Sequence, residues 1–171
     1  GGVGGGRGMG KTGGGHGSRE ELVDGFARHD ELDKFIRRPV QSGSDDVLED
    51  MRRQHRVDKL REVGDTFDGR LDHWTLSTDF IVGFPTETAA DHERSMDLFR
   101  EIRPEKANVT RFSKRPGTDA ADLKWLGGQV KKDRSKEMSA LQRAVAAETY
   151  ASMVGSVREV PAVREGTGDP G

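Results

Sequence analysis

Residues 73–85 read HWTLSTDFIVGFP. Trp74, Leu76, Thr78 and Phe80 alternate with Thr75, Ser77 and Asp79, which is the two-residue period of a β-strand. Phe80-Ile81-Val82 then runs apolar on both faces, as suits a strand buried within a parallel sheet. Gly83-Phe84-Pro85 closes it, because proline cannot donate to a strand ladder. Downstream, Thr88 and Asp91 stand at capping-box spacing. They open a helix that carries Met96, Leu98, Phe99 and Ile102 and stops before Pro104. Residues 107–112 predict a second strand, closed by Pro116-Gly117.

Upstream, residues 34–40 predict a short strand ended by Pro39. Ser42-Gly43 is a turn, and Ser44 is placed to cap a helix over residues 45–53. Asp45 and Asp46 suit the positive end of that helix dipole, and Arg52 and Arg53 its negative end. A further helix fits residues 57–67, and Ser18 with Glu21 forms a capping box for one ending near residue 30. Toward the C-terminus a long helix fits residues 129–154. Met138, Leu141, Val145 and Met153 lie along its stripe and Gly155 at its end. Residues 157–164 fit one last strand. Strands alternating with helices across short loops predict an α/β fold with a parallel sheet. Three to four strands are too few to close a barrel, so the sheet is either small and open or part of a larger barrel.

Composition narrows the function classes. Of 171 residues, 32% are hydrophobic and 34% charged, a sparse apolar supply that still clusters in periodic segments. The net charge of −2 gives no global pull toward nucleic acid or membrane, so such a contact needs a local patch. No apolar run approaches the ~20 residues of a membrane span. No signal-peptide pattern is visible, and a soluble, cytoplasmic protein without membrane contact is the expectation. The chain has no cysteine, which excludes disulfides, thiolate zinc sites and cysteine-held iron–sulfur clusters built by this chain alone.

Eleven of the 23 glycines fall in residues 1–17, a stretch expected to be flexible because it cannot offset its backbone entropy. Within it Gly5-Gly6-Arg7-Gly8-Met9-Gly10-Lys11-Thr12 fits GxxxxGK[ST]. A working phosphate loop needs a strand before it and a helix starting at the Lys-Thr pair. Here glycines stand on both sides, so a nucleotide site at Lys11 and Thr12 is the minor reading.

Three segments carry a resemblance. Pro39-Val40-Gln41-Ser42-Gly43-Ser44-Asp45-Asp46-Val47-Leu48 with Met51-Arg52-Arg53 resembles the PVQSGSxxVLxxMxR signature of the MiaB-type methylthiotransferases, which are radical S-adenosylmethionine (SAM) enzymes. Residues 78–88, TDFIVGFPTET, resemble the family's TDxIVGFPGET segment, and Ser113–Ala120, SKRPGTDA, its SxRPGTxA segment. All three stand in family order at family-like spacing, and the wording is most similar to the archaeal and eukaryotic branch that modifies threonylcarbamoyladenosine at tRNA position 37. The resemblance covers roughly residues 18–165.

It implies a partial (β/α) TIM-like radical-SAM barrel made of about the last three to four strands, followed by a long C-terminal helix. Residues 1–17 would then be a glycine-rich lead and residues 18–126 the partial barrel. Residues 127–155 would be a connector helix, and residues 156–171 the start of an RNA-binding TRAM domain. It implies SAM and, in the full-length family, a [4Fe–4S] cluster held by a CxxxCxxC loop that this chain lacks. The implied partners are tRNA and a cysteine-bearing N-terminal half, without which the chain would be inactive. A non-catalytic RNA-binding remnant is the other reading.

SAM offers an adenine, a ribose and a zwitterionic methionine end, and ligands of parallel α/β sheets sit at the carboxyl ends of the strands. Gln41 and Ser42 stand at one such end and can bond hydroxyls or the methionine end; Gly43 allows close backbone approach. Arg53 could reach a carboxylate. The same residues also read as a plain turn and helix cap. By resemblance, Gly83 to Glu87 is the adenine-side segment. Asp79 is either structural or a partner of the SAM amino group, since a carboxylate on a buried strand needs a partner. Thr86 stands where the family has glycine, and a β-branched residue there is strained if the turn needs φ > 0. Arg111, Lys114 and Arg115 form a basic group at a strand end where RNA could be met. Arg52, Arg53, His55 and Arg56 form a second, and Lys131, Lys132, Arg134 and Lys136 a third that reads as a solvated helix face.

Overall fold

The computed structural model describes residues 35–69, 74–114 and 116–157. The expected phosphate loop, the capping box at Ser18, Arg115 and the strand over residues 157–164 lie wholly or almost wholly outside them. The elements run β1 (Phe35–Arg37), α1 (Asp45–Asp50), α2 (Val57–Asp68), β2 (Thr75–Val82), α3 (Ala89–Ile102), β3 (Lys106–Arg111), a 3-10 turn (Asp119–Ala121) and α4 (Gly128–Met153). The three strands form one parallel sheet in the order β1-β2-β3. This is the α/β architecture the alternation predicts.

β2 is the centre of the sheet. Its Thr78, Phe80 and Val82 are at most 1% exposed and face the helices, with the Phe80 ring 5.5 Å from Phe99 of α3. Val40, Leu48, Val57, Leu60, Met96 and Leu98 complete this core together with Met138 and Val145 of α4. The opposite face is polar except at Ile81: Ser77, Asp79 and Ile81 of β2 stand beside Lys106, Asn108 and Thr110 of β3, and those three β3 residues are exposed.

β1 is shorter than residues 34–40. Its ladder pairs Arg37 with Ser77, and the next bridge pairs Gln41 with Phe80, so one extra residue sits on the β1 side. The cause is Pro39, which has no N–H to give. The Val40 N–H turns to the Thr78 hydroxyl at 3.2 Å, and the Gln41 N–H recovers the ladder at Asp79 O, 2.7 Å away. This is a bulge, and it turns the strand end.

α1 also stops early, at Asp50. The Arg53 N–H bonds Leu48 O at 2.9 Å and the Arg52 N–H bonds Glu49 O at 2.8 Å, with Arg52 left-handed at φ 55°. That is a Schellman ending. Ser44 stands at the N-cap of α1, but its side chain makes no cap bond. Its hydroxyl instead donates to Asp91 Oδ1 at 2.7 Å. The expected cap at Thr88 is present in both directions. Thr86 is not among the positive-φ residues, and Gly83 takes that conformation in its segment with φ 74°, so the feared strain is absent. Among the described residues no helix is long and apolar enough to cross a membrane.

Candidate cofactor and nucleic-acid site at the strand ends

Beyond the carboxyl ends of the strands, residues 50–53 at the end of α1, Phe84 after β2, and residues 110–113 and 117–120 at and after the end of β3 line a cavity of about 580 Å3. Ile81 and Thr110 line it from the strands, Phe84 and Phe112 from the loops, and Arg53 and Arg111 bring positive charge. The two phenyl rings meet edge to face at 5.0 Å. An ion pair from Arg52 to Asp119 closes the rim.

Gln41 and Arg53 are brought together. The bulge leaves Gln41 left-handed at φ 71° and 7% exposed. The Schellman ending of α1 returns Arg53 toward it, and Arg53 Nη2 donates to Gln41 Oε1 at 2.7 Å. A left-handed non-glycine residue costs on the order of 1 kcal/mol, so two local devices converge on one amide–guanidinium pair. Arg53 has five N–H donors, and it also lines the cavity.

Ser42 and Gly43 are placed otherwise. Ser42 is fully buried; its hydroxyl accepts from the Ser44 N–H at 3.2 Å and meets Ser95 Oγ at 3.4 Å. The Gly43 N–H donates to Ser95 Oγ at 2.8 Å. A Cβ on Gly43 would stand 2.5 Å from Arg94 O. The close approach at Gly43 is therefore that of the α3 backbone. Both residues tie the loop to α3.

Gly83 is tied in from the other side. Its N–H donates to Glu87 Oε2 at 2.6 Å. That same oxygen accepts from Arg134 Nη1 at 2.6 Å, and Arg134 Nη1 also reaches Glu87 O at 3.0 Å. The Glu87 carboxylate is wholly buried, and its Oε1 has no hydrogen-bond partner. A Cβ on Gly83 would lie 2.3 Å from Lys131 Cγ. The third basic group is thus not a uniformly solvated face: Arg134 is 9% exposed and Lys131 is half-buried, while Lys132 and Lys136 do face water. The signal was in the sequence. Arg134 stands four residues before Met138 and so falls on the apolar stripe 134, 138, 141, 145.

Asp79 sits one pleat below Ile81 on the polar face. It meets Arg37 Nη2 and Asn108 Nδ2, each at 3.4 Å. Arg111 lines the cavity. Lys114 lies farther out, with Nζ 5.3 Å from the centroid of the Trp125 ring. The second basic group disperses, with Arg52 on Asp119, Arg53 on Gln41, His55 on Val40 O and Arg56 on Asp45. Asp91, at the joint of the α1 and α3 starts, feels burial that pushes its pKa up. Hydrogen bonds from the Thr88 side chain and backbone and from Ser44, with the charge of Arg94, outweigh it and hold the pKa below the usual carboxylate value. Among the described residues no group of three His, Asp or Glu is placed to hold a metal ion.

No family model matches the chain. A protein of Archaeoglobus fulgidus named "Probable threonylcarbamoyladenosine tRNA methylthiotransferase" is 40% identical over 147 residues, covering 86% of this chain and 34% of the relative. A protein of the same name from Pyrococcus horikoshii is 36% identical over 152 residues, covering 89% and 35%. A tRNA-2-methylthio-N(6)-dimethylallyladenosine synthase of Paenarthrobacter aurescens is 39% identical over 142 residues, covering 82% and 28%. The chain spans about a third of the length of the curated relatives it matches. It belongs to the family of MiaB-type tRNA methylthiotransferases.

Proposed function

We propose that this chain supplies the SAM-holding strand ends of a radical-SAM barrel that adds a methylthio group at C2 of threonylcarbamoyladenosine 37 in tRNA. The observation that carries the reading is the Gln41–Arg53 pair, held at a left-handed residue beside a cavity open at the strand ends.

The residues fit SAM. Arg53 offers a guanidinium to a carboxylate. The phenyl rings of Phe84 and Phe112 and the side chain of Ile81 offer an apolar wall to a purine. Asp79 supplies a negative charge on the polar face, suited to an ammonium group. Ser42, Gly43, Gly83, Glu87 and Arg134 act as positioning residues: they fix the two loops, so that the cavity wall is set before a ligand enters. When bound, SAM supplies the methyl and radical chemistry of methylthiolation. Arg111 at the cavity wall and Lys114 farther out stand at the same strand end, where an RNA phosphate can be met.

The iron–sulfur cluster does not fit this chain, which has no cysteine. Cluster chemistry therefore belongs to a cysteine-bearing partner segment, and the chain alone is inactive. The test is complementation. Addition of a relative's cysteine-bearing N-terminal part, with iron, sulfide and SAM, is expected to yield methylthiolated tRNA; the chain alone is expected to yield none and to show no [4Fe–4S] absorption band. A cluster band on the isolated chain, or the failure of every complemented mixture, would sink the reading.

A further inference from the structure

Trp125 carries an arrangement that the cofactor site does not use. It is 43% exposed. Two ammonium groups stand over its ring, Lys114 Nζ at 5.3 Å and Lys131 Nζ at 5.1 Å from the centroid. They come from different elements, the loop after β3 and the first turns of α4. Lys131 also donates to Phe112 O at 3.3 Å, and its stem lies on Gly83. One lysine thus joins the exposed ring to both loops of the cavity.

An indole beside two cations has a chemistry of its own. Cation–π attraction holds the ammonium groups at the ring, so positive charge and an aromatic plane are presented together. The chain is near neutral overall, at −2, so this charge is local. A ligand that satisfies both needs a flat π-face and an anion a few ångströms away. An unpaired nucleotide has both; an acidic peptide has only the anion. Unpaired bases stack on aromatic side chains while lysines take the phosphates.

We propose that Trp125, with Lys114 and Lys131, forms a stacking platform for an unpaired base of the RNA substrate at the mouth of the strand-end cavity. This deepens the reading of the chain as part of a tRNA-modifying enzyme and rests on it. Lys131 ties the platform to the carbonyl of Phe112, a residue of the cavity wall.

The test uses the full chain with three probes: a labelled single-stranded oligoadenylate RNA, inorganic polyphosphate and polyglutamate. Trp125→Ala is expected to weaken RNA binding about fivefold or more and to leave polyphosphate binding unchanged. Trp125→Phe is expected to keep most of the RNA affinity. The double change Lys114→Ala with Lys131→Ala is expected to weaken binding of RNA and polyphosphate alike and to flatten the salt dependence of RNA binding. Unchanged RNA binding by Trp125→Ala, or an equal loss of RNA and polyphosphate binding, contradicts the platform and leaves the tRNA reading standing. A wild-type chain that binds no RNA contradicts both. Polyglutamate binding that depends on Trp125 as strongly as RNA binding does also overturns the proposal.

Discussion

Arg134 is a charged residue on an apolar stripe, and its neighbours explain why it is there. Glu87 is buried and takes its charge compensation from Arg134 at 2.6 Å. Removing one partner of a buried pair costs about 3–5 kcal/mol, because the other charge stays behind. Arg134→Ala should therefore lower the unfolding free energy by that order in a urea titration. Arg134→Met with Glu87→Leu, which removes both charges, should recover most of the loss. At Asp91 the sign of the pH effect follows from a folded pKa held below the unfolded value. Its contribution is present above about pH 4 and is lost as pH falls through the lowered folded value. Asp91→Asn should be less stable at neutral pH and should flatten the acid limb of a stability-against-pH curve. At Gly43 an added Cβ meets backbone at 2.5 Å, which cannot turn aside as a side chain can. Gly43→Ala should cost about 1–3 kcal/mol, read in the same titration.

β2, α3 and β3 were legible because their signals are local: a two-residue period, a capping box, a proline just past the end. The Thr88 and Asp91 spacing fixed the start of α3 without any knowledge of the sheet. The bulge at Pro39 was not legible, since register belongs to two strands and only one of them is read at a time. Ser44 misled for a related reason: its cap position is local, but its partner Asp91 lies 47 residues away. Gly43 reads as freedom for a ligand, yet the group that approaches it is the α3 backbone, placed by the fold. In α4 the stripe holds at Met138 and Val145, which are buried, and loosens at Met153, which is half-buried, while Tyr150 stands off the stripe. Met138 is fully buried, whereas Tyr150 is 61% exposed. Met138→Ala should destabilise by about 2–5 kcal/mol, and Tyr150→Ala should stay within about 0.5 kcal/mol, both by denaturant midpoint.

At the scale of the whole molecule, one face of the three-stranded sheet carries the core and the other is polar and open. Arg37, Asp79 and Asn108 share that open face, and their contacts of 3.4 Å leave capacity for a further partner. The carboxyl ends of the strands gather loops, a cavity and positive charge. Family membership was legible in three short segments, each of which contains a turn just beyond the carboxyl end of a strand. The role of α4 was not, since it depends on how a distant helix docks onto those loops.

The central claim is that the cavity beside Gln41 and Arg53 takes SAM. Calorimetric titration of SAM into the chain and into Arg53→Ala tests it most directly. Saturable binding by the wild-type chain is expected, weakened about tenfold or more in the variant, with circular dichroism and melting unchanged. Equal affinity in the two chains, or no SAM binding by the wild type, would contradict it.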